Sequence, residues 1–141
     1  MLKRDAEETI RALLKKVPIV VITGPRQSGK TTLARTIFPK KPYASLEDPE
    51  VRLAAREDPR SFLERFPRGG VLDEVQRVPE LFTAIKASVD RRRSPGRFLL
   101  TGSANVLTVP SLADSLAGRM AILRLHPFAQ CELVRRKPRF L

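Results

Sequence analysis

The chain is short of several residue types, and each shortage closes off a class of function. Its one cysteine, Cys131, leaves no internal disulfide to form. Its one histidine, His126, lies in Leu125-His126-Pro127-Phe128 with no second His or Cys at ligand spacing, so it reads as a turn or packing residue. Aromatic residues make up 6% and none interleaves with the arginine runs, which argues against a surface that stacks single-stranded bases. Long apolar runs are also missing. Ile19-Val20-Val21-Ile22 is far too short to span a bilayer, and Met1-Leu2-Lys3-Arg4-Asp5-Ala6-Glu7-Glu8 is too charged for a signal peptide. The expected compartment is the cytoplasm, with no membrane span.

Acids are scarce as well. Against 27 Lys and Arg there are 15 Asp and Glu, a formal net charge of +12. Such an excess attracts polyanions, whether a nucleoside triphosphate, a nucleic acid or an acidic protein, without choosing among them. No nucleic-acid module accompanies it, so nucleic acid is kept as an added partner class. Arg91-Arg92-Arg93 and Arg135-Arg136-Lys137 could grip phosphates, but they read first as a helix C-terminus, where cations suit the dipole, and a solvated tail.

What is present fits one soluble domain. The 141 residues are 42% hydrophobic and 30% charged, enough for one good core. Ile10, Leu13 and Leu14 stand at helical spacing in an amphipathic segment over residues 1–16 that Pro18 ends. Residues 19–23 are a β-branched run typical of a buried parallel strand. Helix is expected over 30–38 and strand over 43–46. Short helices are expected over 49–56 and 59–66, each led by an Asp before a proline that suits the first turn. Strand at 71–72, helix over 79–92, strand over 97–101, helix over 111–116 and strand over 120–125 complete the pattern. Alternation of this kind predicts a parallel sheet covered on both faces. The domain is expected to fill residues 1–133, with a basic tail over 134–141, and residues 127–141 carry no clear signal for either element. Phe38, Phe62, Phe66, Phe82 and Phe98 are expected in the core.

The strongest local signal is Gly24-Pro25-Arg26-Gln27-Ser28-Gly29-Lys30-Thr31, a full match to G-x-x-x-x-G-K-[ST]. Gly24 and Gly29 let the backbone fold closely round phosphates, with inward N–H groups forming an anion nest. The helix that follows adds the positive end of its dipole. Lys30 is expected on the β- and γ-phosphates and the Thr31 hydroxyl on Mg²⁺. Thr32 completes the expected binding segment. A strand before the loop and a helix after it supply the context that a chance match lacks.

Nucleotide hydrolysis also needs a carboxylate for the metal and a group that prepares water. Val71-Leu72-Asp73-Glu74 offers both at a strand's carboxyl end, where ligands of parallel sheets bind. Asp73 is assigned to the metal and Glu74 to the general base, since adjacent residues of a strand point to opposite sides. The next strand runs into Thr101-Gly102-Ser103-Ala104-Asn105. Ser103 is the first choice to hold the attacking water or sense the γ-phosphate, with Asn105 and Thr101 behind it, although Ser103 and Asn105 could equally shape a turn. Arg119, after Gly118, has a guanidinium that could neutralise charge on a transferring phosphoryl group in its own or a neighbouring subunit.

Taken in order, residues 24–31, Leu72-Asp73-Glu74, Leu100-Thr101-Gly102-Ser103 and Ala117-Gly118-Arg119 resemble the AAA+ ATPases. The resemblance is strongest to a prokaryotic branch reading TGPRQSGKTTL, LDEVQRVPELF, LLTGSAN and SLAGRM…LHPFAQCEL. It implies a three-layer αβα sandwich with a five-stranded, mainly parallel sheet in the order 5-1-4-3-2. It also implies ATP with Mg²⁺ as the ligand, Lys30 and Thr31 on nucleotide and metal, Asp73 on the metal, Glu74 as base, and Ser103 as sensor. Arg119 matches the finger position that usually acts across a subunit interface, hence an expected homo-oligomer. Members are much longer, with a helical lid and a C-terminal domain of unknown function, so the chain is expected to correspond to the ATPase core.

The function expected from the sequence is hydrolysis of ATP to ADP and phosphate, driving a conformational change in a protein or nucleic-acid partner. Two alternatives use the same loop. One is a nucleotide-dependent switch with little hydrolysis, which the absent lid favours. The other is a small-molecule kinase, for which no acceptor segment or Arg-bearing lid is evident. No guanine-reading N-K-x-D segment occurs, in keeping with adenine.

Overall fold

A computed structural model describes residues 2–25, 29–103, 106, 109–125 and 131–134. Five helices or strands alternate as expected from the start: α1 (Leu2–Leu14), β1 (Ile19–Thr23), α2 (Lys30–Ile37), β2 (Tyr43–Ser45) and α3 (Pro49–Glu57). Then come α4 (Pro59–Leu63), β3 (Gly70–Asp73), a 3-10 turn over Val75–Arg77, α5 (Glu80–Arg91) and β4 (Phe98–Gly102). The described chain closes with α6 (Pro110–Leu116), β5 (Met120–Leu125) and β6 (Cys131–Val134).

The sheet runs β2-β3-β4-β1-β5-β6. Its first five strands are parallel, so the expected order 5-1-4-3-2 is present, read from the other edge. The sixth strand departs from expectation. It pairs antiparallel to β5, with Ile122 opposite Val134 and Leu125 opposite Cys131. Four residues, Cys131-Glu132-Leu133-Val134, are too few and too mixed to announce a strand, and only the exposed edge of β5 makes them one.

β1 is central, and all five of its residues are buried. Its alternation sorts the core into two layers. Ile19 and Val21 pack with Phe62, Leu81, Phe82, Ile85 and Val89 from α4 and α5. Val20 and Ile22 face Ala6, Ile10 and Leu14 of α1 and Leu33, Ala34 and Ile37 of α2. The spacing of Ala6, Ile10 and Leu14, four residues apart, gives α1 the narrow apolar stripe that docks it. At about 25 cal/mol per Å² of apolar area, each such leucine or isoleucine contributes roughly 1.5–3 kcal/mol.

The Asp-Pro pairs behave as read. Asp48 Oδ1 accepts from the Glu50 N–H at 2.9 Å ahead of Pro49, and Asp58 Oδ1 accepts from the Ser61 N–H at 3.1 Å ahead of Pro59. Phe62, Phe66, Phe82 and Phe98 are buried. Phe38 is the exception: it is only half-buried, and its ring carries the Lys41 ammonium 4.7 Å from its centre.

Candidate functional site

Parallel pairing sets the carboxyl ends of β1, β3 and β4 side by side. Thr23 is level with Gly102 on β4, while Leu72 of β3 is level with Leu100. Among the described residues, those ends bring together Lys30 and Thr31 after β1, the two acids of β3 and its exit, and Thr101 and Ser103 at the end of β4.

The loop enters α2 at Gly29, whose φ of 86° lies in the left-handed region. A side chain there would meet nothing within 4 Å, so the restriction is one of backbone conformation and the space beside it is open. Arg26, Gln27 and Ser28 lie outside the described residues, as do Asn105, His126 and residues 135–141. Lys30 opens α2 and is 3% exposed. Its ammonium donates to the Pro25 carbonyl at 3.2 Å and stands 3.9 Å from Glu74 Oε2. Thr32, next on the helix after Thr31, is exposed.

Asp73 ends β3 and is 6% exposed. Three hydroxyls converge on it. Thr31 Oγ1 lies 3.0 Å from Oδ1 and 3.1 Å from Oδ2, and the Tyr43 hydroxyl donates to Oδ2 at 3.0 Å. The Thr101 hydroxyl bonds to Oδ1. Burial, then the charge and hydrogen bond of Asp73, push the Tyr43 phenol up to about 12. The Arg35 guanidinium covers the Tyr43 ring at 4.5 Å.

Glu74 does not gain its direction from strand alternation, as the sequence suggested. It lies one residue past β3 with φ 58° and ψ 50°, and among the described residues no other non-glycine has a positive φ. Such a conformation costs on the order of 1–2 kcal/mol and persists where surroundings fix it. Here the Glu74 N–H donates to Thr101 Oγ1 at 3.1 Å, and Gln76 Nε2 donates to Glu74 Oε1 at 2.7 Å. The kink turns the carboxylate toward Lys30.

Gln76 also donates to Ser103 Oγ at 3.3 Å, so Ser103 is tied to Glu74 through one amide. That amide fits because residue 102 is glycine: a Cβ there would stand 2.7 Å from Gln76 Oε1 and 2.9 Å from Val106 Cβ. Gln76 Oε1 itself is buried with no hydrogen-bond partner among the described residues.

Arg119 is elsewhere. Its carbonyl accepts from the Ile19 N–H at 3.2 Å, which puts it at the amino end of β1. Ile19 to Thr23 is a rise of about 13 Å in a strand, so the guanidinium belongs to the opposite end of the sheet from the loop. There it forms a fork with Asp90, Nε to Oδ1 at 2.7 Å and Nη2 to Oδ2 at 3.1 Å. This fork holds the Asp90 carboxyl below its usual range and raises the Arg119 pKa.

Sequence reasoning thus missed Tyr43 and Gln76 and ranked Thr101 last of three, although Thr101 touches both acids. Tyr43 had one available signal, a polar aromatic in a candidate strand, while its place beside Val71 comes only from the sheet.

A loop between a central parallel strand and a helix, in a sheet ordered β2-β3-β4-β1-β5, defines the P-loop α/β fold class. A family model described as an AAA domain matches residues 16–134, and the chain belongs to that family. An uncharacterized protein of Mycobacterium bovis and one of Mycobacterium tuberculosis are each 39% identical to it over 124 residues. That alignment covers 87% of this chain but 28% of the relatives' length. The fold is similar to a crystal structure of a DNA replication initiation factor (TM-score 0.57, 16% identity, 84% of this chain and 44% of that one). It is also similar to AMPPCP-bound DnaA from Aquifex aeolicus (TM-score 0.58, 17% identity, 85% and 46%). Among the described residues, no helix is long and apolar enough to cross a membrane.

Proposed function

We propose that the chain binds ATP with Mg²⁺ at residues 24–32 and hydrolyses it to ADP and phosphate, driving a conformational change in a partner. The observation that carries this reading is one convergence: Thr31 Oγ1 lies 3.0 Å from Asp73 while Lys30 Nζ lies 3.9 Å from Glu74. An ammonium, a hydroxyl and two carboxylates from segments 42 residues apart meet beside an open glycine turn. The DnaA structure of similar fold is of an AMPPCP-bound protein, which supports a nucleotide as ligand.

The donor set suits Mg²⁺. Among the described residues no group of three or more His, Cys, Asp or Glu could hold a metal, whereas Thr31 and Asp73 offer two hard oxygens. Magnesium takes few protein ligands and fills its octahedron with water and phosphate oxygens. When bound it would neutralise charge building on the phosphates. Lys30 would exchange the Pro25 carbonyl and its contact with Glu74 for phosphate oxygens, leaving the Glu74 carboxylate free to accept a proton. Glu74 then takes a proton from water as the water oxygen bonds to the γ-phosphorus and the bond to the bridging oxygen of ADP breaks. Thr101 and Gln76 hold Glu74 in place, and Ser103, tied to Glu74 through Gln76, would sense the γ-phosphate. Arg119 is too far along the strands to serve its own loop, so its role as a finger requires a second copy of the chain.

Lys30→Ala should abolish nucleotide binding, whereas Glu74→Gln should bind ATP and stop phosphate release. Full turnover by Glu74→Gln would remove the assigned base. Tight binding by the unmodified chain without phosphate release would favour the nucleotide-dependent switch instead.

A further inference from the structure

At the opposite end of the sheet from the phosphate loop, a cavity of about 370 Å³ opens between α4, α5 and the start of β4. Four arginines line it, Arg60, Arg91, Arg92 and Arg97, against one acidic residue, Glu64. Leu63 and Phe66 supply an apolar wall. The arginine run that the sequence offered as a helix C-terminus is therefore divided: Arg91 and Arg92 line this cavity, and Arg93 donates to the Gly118 carbonyl at 3.1 Å.

Arg97 is the unusual member, because it is 4% exposed. Its Nη1 donates to the carbonyls of Ser88 at 2.8 Å and Arg92 at 2.9 Å, and its Nη2 to Ser88 Oγ at 2.9 Å and the Pro67 carbonyl at 3.5 Å. All these acceptors are neutral. Among the described residues no carboxylate pairs with it, and its Nε, also buried, has no partner. An ion taken out of water costs several kcal/mol unless charge or hydrogen bonds compensate. The neighbours here add to the cost: burial, with Arg92 and Arg91 nearby, lowers the Arg97 pKa, and burial with Arg97 lowers that of Lys41. Carbonyls at the C-terminal end of α5 explain how the fold tolerates Arg97. They do not explain why three more arginines line the same cavity with none of them in an ion pair among the described residues.

We propose that this cavity is a second anion site, separate from the phosphate loop, that takes a small soluble phosphate monoester with an apolar body. Guanidinium forks match phosphate oxygens bidentately, and the exposed forks of Arg60, Arg91 and Arg92, with the buried charge of Arg97 behind them, suit a dianion better than a single carboxylate. The volume falls in the range of small-molecule sites, and the Leu63–Phe66 wall gives the apolar body a place beside the charge. One ligand cannot span both sites. Arg97 donates its N–H to the Pro18 carbonyl, ahead of β1, whereas the loop leaves the far end of that strand.

The test is a titration of phenyl phosphate into the ¹⁵N-labelled full chain carrying Lys30→Ala, which removes the competing ammonium of the loop. Saturable shifts are expected at the amides of Ala84, Ala87 and Ser88, which line the cavity. The Arg60→Gln/Arg91→Gln pair, added to the same chain, should weaken binding by roughly tenfold or more. Both side chains are exposed, so an unchanged circular dichroism spectrum is expected to verify the fold. Phenol should leave those amides unmoved, and inorganic phosphate should bind more weakly than phenyl phosphate. Shifts confined to residues 24–31, undiminished affinity in the double variant, or equal affinity for inorganic phosphate would overturn the proposal.

Discussion

The Thr101 hydroxyl is bonded to the Asp73 carboxylate and also accepts the Glu74 N–H at 3.1 Å, so one side chain on β4 holds both acids that leave β3. Thr101→Val keeps the shape and removes both bonds around a buried carboxylate. We expect a loss of about 1–3 kcal/mol of stability in urea melts, together with reduced phosphate release. Thr101→Ser should restore most of both. A valine variant as stable as the parent would remove Thr101 from this role.

Glu74 permits a test of backbone strain that is independent of its carboxylate. Glu74→Ala and Glu74→Gly both delete the acid, so both should stop turnover. At φ 58° the glycine variant should be the more stable of the two by about 1 kcal/mol. Equal melting temperatures would mean that the left-handed turn relaxes when the side chain is lost.

Tyr43 is the chain's one tyrosine, so alkaline ultraviolet titration reads it alone. Its midpoint is expected at about 12, held there chiefly by burial and then by Asp73. The folded pKa is raised above the unfolded value, so the stabilisation is complete below pH about 10. It is lost as pH climbs from there through the folded midpoint. Asp73→Asn should bring that midpoint down, since the charge opposing the phenolate is gone. A midpoint unmoved by Asp73→Asn would mean that burial alone sets it.

Arg119 and Lys30 act, on the proposed mechanism, at different copies of the site. Arg119→Ala and Lys30→Ala should each be inactive alone. Mixed together they should recover part of the turnover, because the first supplies an intact loop and the second an intact guanidinium. Asp90→Asn, which frees the fork, should not lower activity in this assay. No recovery at any mixing ratio would argue that Arg119 serves only its contact with Asp90. The pH behaviour of that contact follows from the lowered Asp90 pKa: it is complete above the ordinary carboxylate range and lost as pH falls through the folded value.

What could be read from the sequence was whatever lies within one segment. Residues 24–31 carry their spacing in order, and β1 is announced by four β-branched residues before Thr23. Alternation with helices announced a parallel sheet, whereas its strand order came from the family resemblance alone. Contacts made between segments were not legible. Tyr43 meets Asp73 across 30 residues and Thr101 meets it across 28, so neither pairing leaves a local trace. The left-handed turn at Glu74 was hidden for another reason, since a glutamate does not advertise a conformation that glycine or asparagine usually takes. β6 depends on the neighbour it pairs with more than on its own composition.

The sheet's two margins carry a further consequence. Among the described residues they are β2, with three residues, and β6, with four. Strands so short present few backbone donors and acceptors to a second molecule, which makes edge-to-edge joining a poor route to self-association. Copies of the chain would have to meet through side-chain surfaces, where charge sets both the docking angle and the sensitivity to salt.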